Sequence, residues 1–100
     1  MTFNDLELRV IKWANDRNLI KPENDKAQLC KTMEELGELV KATLKNNTDM
    51  IIDGIGDVVV TLIIFAAIKN LNLGYCLEQA YNEIAGRTGK TENGVFIKDK

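Results

Sequence analysis

One hundred residues of 45% apolar composition suit a single domain whose core is limited by the short chain, so self-association is expected. Thirteen basic and fifteen acidic residues leave a net charge of −2, a balance that argues against a general nucleic-acid binder. Histidine is absent and Cys30 and Cys76 stand far apart, which excludes an ordinary zinc site and predicts two buried, reduced thiols.

The polar, acidic start MTFNDLELRV lacks the apolar run of a secretory signal, so a cytoplasmic location is expected. Thr2 and Asp5 form a capping-box pattern, and Phe3, Leu6, Val10 and Ala14 then recur at helical spacing to about Asp16. After a loop around Pro22 and Asn24, a second helix is predicted from Asp25 to about Lys45, with Leu29, Met33, Leu36, Val40 and Leu44 on one face. The stretch KNNTD breaks this pattern, and Thr48 is the expected cap of a third helix reaching about Leu71. Its apolar run, Val58 to Ile68, holds about 11 residues where roughly 20 are needed to span a bilayer, so no membrane partner is expected. A run that is apolar on all sides is buried within the subunit or between subunits. A fourth helix, Tyr75 to Ala85, places Leu77, Ala80, Tyr81 and Ile84 on one face and ends near Gly86. The tail RTGKTENGVFIKDK carries turn signals at Thr88-Gly89 and Asn93-Gly94 with a short apolar run between charges, and reads as a short irregular loop with room for one brief extended segment. The fold class is therefore an all-α, four-helix bundle.

The segment KTMEELGELVKA gathers Glu34, Glu35 and Glu38 on the side of the second helix away from its apolar stripe. In isolation that describes a solvated helix surface. The third helix adds Asp53 and Asp57 one turn apart, with Asp57 leading straight into the apolar run. A lone carboxylate there would carry a desolvation cost of several kcal/mol or would be driven to protonate. No basic residue lies between Met50 and Ile68, so a partner must come from elsewhere, either as a structural ion pair or as a cation shared between two helices. All-oxygen ligation selects Mg²⁺, Mn²⁺ or Ca²⁺, and Mg²⁺ characteristically takes further ligands from substrate phosphates. A di-iron carboxylate bundle needs Glu-x-x-His pairs and is excluded.

EELGEL at Glu34 to Leu39, followed by DGIGDVVVTL at Asp53 to Leu62, resembles the MazG-like all-α nucleoside triphosphate pyrophosphohydrolases, in particular the short single-domain forms of phages and bacteria. WANDRNLI at Trp13 to Ile20, QLCK at Gln28 to Lys31 and YNEIAGRTGKTENGVFIK at Tyr81 to Lys98 extend the likeness over nearly the whole chain as one domain, residues 1–100. The family signature pairs Glu-x-x-Glu with Glu-x-x-Asp. Here the first pair falls on Glu35 and Glu38 and the final aspartate on Asp57, while Gly54 stands where the second motif has Glu and Asp53 is the nearest carboxylate.

The resemblance implies a Mg²⁺-dependent enzyme, with Mn²⁺ as an alternative ion, that cleaves a (d)NTP to the (d)NMP and pyrophosphate through attack of metal-activated water at the α-phosphorus. It works as a homodimer or homotetramer in the cytoplasm of a bacterium or a phage-infected host. Glu35, Glu38, Asp53 and Asp57 are the metal-ligand candidates, and Glu34 or Glu38 the proton acceptor. Lys31, Arg87 and Lys90 are candidates for phosphate, Asn82 for sugar or phosphate, Trp13 for base stacking and Gln28 for a base edge or the metal's water shell. Each has a plainer role open to it: a Lys31–Glu35 ion pair, solvated charges at Arg87 and Lys90, surface amides at Gln28 and Asn82, and a core or interface Trp13. A phosphoribosyl-ATP pyrophosphohydrolase and a non-catalytic, metal- or nucleotide-binding oligomer are the alternatives.

Overall fold

Three of the four helices end on asparagine. In the computed structural model, which describes residues 1–100, Asn18, Asn46 and Asn70 all take left-handed backbone conformations, with φ of 60°, 52° and 59°. Each turn is a Schellman motif. The amide of the residue after the asparagine reaches back to Ala14, Ala42 or Ala66, and the asparagine's own amide donates to Asn15, Thr43 or Ala67. These stops bound α1 (Phe3–Asp16), α2 (Asp25–Leu44, preceded by a 3₁₀ turn Pro22–Asn24) and α3 (Thr48–Ile68). The expected extension of the third helix to Leu71 is thus corrected, because Asn70 turns the chain first.

The starts follow the same logic. Thr2 and Asp5 form the reciprocal capping box that the sequence predicts, at 3.0 and 3.1 Å. The cap of α3 is Asn47, whose Oδ1 accepts from the Met50 amide, and Thr48 is instead the first helical residue. Asn72 caps α4 (Leu73–Ile84) by accepting from the Tyr75 amide. The tail is more ordered than a loop with one brief extended segment: β1 (Gly89–Glu92) and β2 (Val95–Lys98) form an antiparallel hairpin. Asn93 and Gly94 both have positive φ, the requirement of a tight hairpin turn, and a side chain at Gly89 would collide with the Ile97 carbonyl.

α2 and α3 form an antiparallel pair closed at its far end by the Lys69–Asp25 ion pair at 2.6 Å, which holds the Asp25 carboxyl below the usual carboxylate range. α1 lies across α3, where Ala14 packs with Ile64 and Ile68, flanked by Val10, Leu19, Ile20 and Val60. As a 21-residue helix, α3 is long and apolar enough to cross a bilayer by length and composition. Its buried Thr61, Ile64 and Ile68 place it at the centre of the subunit.

α2 meets α3 through Gln28, Thr32, Glu35, Leu39 and Ala42, which are partly or fully buried, and its apolar stripe points outward. Exposure along that stripe runs from 44% at Leu29 to 79% at Leu44. Only nine of the 100 residues are buried, and the radius of gyration of 15.8 Å exceeds the roughly 13 Å of a compact domain of this length. Cys30 is exposed and Cys76 partly so, which corrects the expectation of two buried thiols.

Glu7 is 4% exposed, and its Oε2 accepts from the Leu73 amide at 2.8 Å, so a carboxylate of α1 satisfies an orphan donor in the first turn of α4. Glu7→Ala is expected to lower stability by about 1–3 kcal/mol in urea titrations, and Glu7→Gln, which keeps an acceptor, by less.

Candidate functional site

The facing acids of α2 and α3 converge. Glu35, Glu38, Asp53 and Asp57 line one cleft of about 190 Å³, together with Ala42, Met50 and Gly54. Gly54 permits this approach, because a Cβ there would stand 3.1 Å from Leu39 Cδ1 and 3.4 Å from Leu39 Cα. The position where the family motif carries Glu is the point at which α2 and α3 touch. Gly54→Glu is accordingly expected to destabilise the protein by roughly 1–3 kcal/mol and to lower turnover rather than raise it, as melting and activity assays of the same preparation will report.

Electrostatics mark the cleft as a place of excess negative charge. Burial first, and then the neighbouring charges of Asp53 and Glu35, push the Asp57 carboxyl above its ordinary value, against the opposing pull of Lys31. Lys31 lies 3.4 Å from Glu35 and 3.7 Å from Glu34, and the hydrogen bond to Glu35 chiefly raises its own pKa. Lys41 lies 3.4 Å from Glu38. No three acid groups stand close enough together to form a ready-made metal cage. Four carboxylates border this one cleft, oxygen donors of the kind that a hard divalent cation takes, and the charges of Asp53 and Glu35 both act on Asp57.

Glu35 and Asp57 also line a second, larger cavity of about 540 Å³. Trp13, Gln28 and Lys31 border it, as do Leu19, Asn24, Ala27, Val60, Thr61 and Ile64. An acidic cleft thus opens into a mainly apolar chamber. Trp13 is half exposed, and Arg17 lies over its ring at 4.2 Å. Gln28 Nε2 donates to the Thr61 carbonyl at 3.2 Å, which ties the chamber wall of α2 to α3.

Four of the sequence candidates lie outside both cavities. Glu34 is exposed on the flank of α2. Asn82 is on the exposed surface of α4, Arg87 pairs with Glu83 at 2.8 Å, and Lys90 in β1 pairs with Glu92 at 2.9 Å. Sequence reasoning missed Asn24 and Thr61. A hydroxyl inside the run VVVTLIIFAAI was the available signal for Thr61, whereas Asn24 looked like an ordinary loop residue.

Comparison with known proteins bears on this architecture directly. A family model described as the MazG nucleotide pyrophosphohydrolase domain matches residues 23–96, a span that contains both acid-bearing helices, α4 and most of the hairpin. An uncharacterized 18.2 kDa protein from the rep-hol intergenic region of Haemophilus phage HP1 is 46% identical over 55 residues, covering 55% of this chain. The matched part is 34% of that relative, so the chain spans about a third of its length. No solved structure matches. With most of its length matched, and with the acids of two helices facing one cleft, the chain belongs to the MazG nucleotide pyrophosphohydrolase domain family.

Proposed function

We propose that the protein hydrolyses nucleoside triphosphates to the monophosphate and pyrophosphate, with the triphosphate at the acidic cleft and the nucleoside in the adjoining chamber. The observation that carries this reading is that Glu35 and Asp57 line both spaces, so one bound molecule can engage the acids and the apolar wall together. Glu35, Glu38, Asp53 and Asp57 are the residues to hold Mg²⁺ or Mn²⁺, which when bound neutralises phosphate charge and lowers the pKa of a nucleophilic water.

In the reaction, water oxygen attacks the α-phosphorus, the bond from that phosphorus to the bridging oxygen breaks, and pyrophosphate leaves. Glu38 is the proton acceptor in this scheme because it borders the cleft, whereas Glu34 does not. Trp13 offers a stacking surface and Lys31 a cation beside the phosphates. Asn82, Arg87 and Lys90 lie on the arm formed by α4 and the hairpin and have no part in this single-chain site.

The working unit in this proposal is a homodimer or homotetramer, because Leu29, Met33, Leu36, Val40 and Leu44 form an exposed apolar stripe too continuous for a solvated face. Pyrophosphate release from the eight common (d)NTPs, measured with Mg²⁺ and with chelator, tests the chemistry, and light scattering in solution tests the assembly.

A further inference from the structure

Resting on the nucleoside chamber just described, we infer that Arg17 is a positioning residue: it pins the Trp13 indole at the chamber wall, so that a nucleobase meets an aromatic surface already in place. Trp13 is 47% exposed, and packing alone leaves such a ring free to turn between rotamers. It borders the chamber and also a neighbouring groove of about 320 Å³, lined by Leu6, Arg9, Val10 and Val60. An unrestrained ring therefore has apolar walls to lie against on two sides.

Arg17 borders neither space, yet it holds the ring. Its guanidinium carbon stands 4.2 Å from the ring centroid, and Nη1 donates to the Trp13 main-chain carbonyl at 2.9 Å. The hydrogen bond fixes the flat group against the last turn of α1, and the stack fixes the indole against the flat group. Local backbone geometry sets up the contact. Arg17 is the C-cap of α1, one turn after Trp13, and its amide donates to Ala14 and Asn15 before Asn18 turns the chain. A contact surface ordered in advance lowers the cost of binding without any further contact to the ligand.

The test compares Arg17→Ala and Arg17→Lys with the wild type in Mg²⁺-dependent turnover of its best (d)NTP. Both variants are expected to raise KM by about threefold or more and to keep kcat within about twofold, because the interaction removed serves ground and transition states alike. The inhibition constant of the matching phosphate-free nucleoside rises with KM, while that of pyrophosphate stays. The longest-wavelength near-ultraviolet circular dichroism band belongs to Trp13, the only tryptophan, and it weakens in both variants while the far-ultraviolet helical signal is retained. A role confined to ending α1 changes stability and not this pattern. Should Arg17→Ala fail to fold, Arg17→Lys carries the test.

Lysine keeps the charge and loses the flat group, so wild-type behaviour in Arg17→Lys overturns the inference. An unmoved KM or an unmoved Trp13 band does so as well. A weakened pyrophosphate constant also overturns it, since that places the guanidinium on phosphate. Absence of turnover in the wild type overturns the pyrophosphohydrolase reading, and the Trp13 band, which needs no turnover, still decides whether Arg17 holds the ring.

Discussion

Asp57→Asn is expected to remove nucleotide turnover, by about 10²-fold or more, while raising the melting temperature of the metal-free protein. The two effects share one cause. Asp57 sits where burial and the charges of Asp53 and Glu35 all disfavour its ionised form, so its carboxyl titrates above the unfolded value. A raised folded-state pKa means that the native state binds more protons than the unfolded chain between the two values. Its contribution to stability is therefore full below the unfolded pKa and is lost as pH rises through the folded one. At neutral pH the metal-free wild type carries the remaining repulsion and the asparagine variant does not. For a domain of this size each kcal/mol of relief appears as about 4–8 °C in melting temperature. Mg²⁺ is expected to stabilise the wild type at neutral pH and to have little effect on the variant, and scanning calorimetry with and without the ion checks both statements.

Leu36→Glu combined with Val40→Glu is expected to convert the assembled protein to monomers, or to unfold it. Both side chains are about half exposed in the single chain and lie at the middle of the α2 stripe. Burying the exposed half of each against a second copy is worth about 0.8–1.5 kcal/mol, and placing a carboxylate in the same interface adds a desolvation cost of several kcal/mol. Together these shift the dissociation constant by more than about 10³-fold, since each 1.4 kcal/mol is a factor of ten. Sedimentation or light scattering at micromolar concentration reads the change. A wild type that is already monomeric there contradicts the proposed interface.

The four helices were legible because their apolar periodicities and polar interruptions agree. Their ends were less so, since asparagine signals a turn without saying whether it caps the helix that follows or closes the one that precedes. Asn47 and Asn72 do the former, and Asn18, Asn46 and Asn70 the latter. The tail's Asn93-Gly94 pair announced a turn, but four-residue strands on either side carry too little alternation to be recognised as a hairpin.

Orientation was the least legible feature. An apolar stripe on α2 invites the assumption that it faces the subunit's own core, yet α2 turns the line from Gln28 to Ala42 toward α3 and leaves the stripe free. That inversion draws Glu35 and Glu38 into the cleft with Asp53 and Asp57. Periodicity locates a face but does not say which neighbour will cover it. Likewise, Gly54 looked like a missing ligand from the sequence, and contact with Leu39 supplies its steric reason.

Pyrophosphate release from dNTPs titrated with Mg²⁺, with a chelator control, bears most directly on the idea that repulsion among these acids prepares a place for a cation and its phosphates. Release is expected to saturate with Mg²⁺, to stop with chelator and to vanish in Asp57→Asn. Release that persists in chelator, or no release from any of the eight common nucleotides, contradicts it.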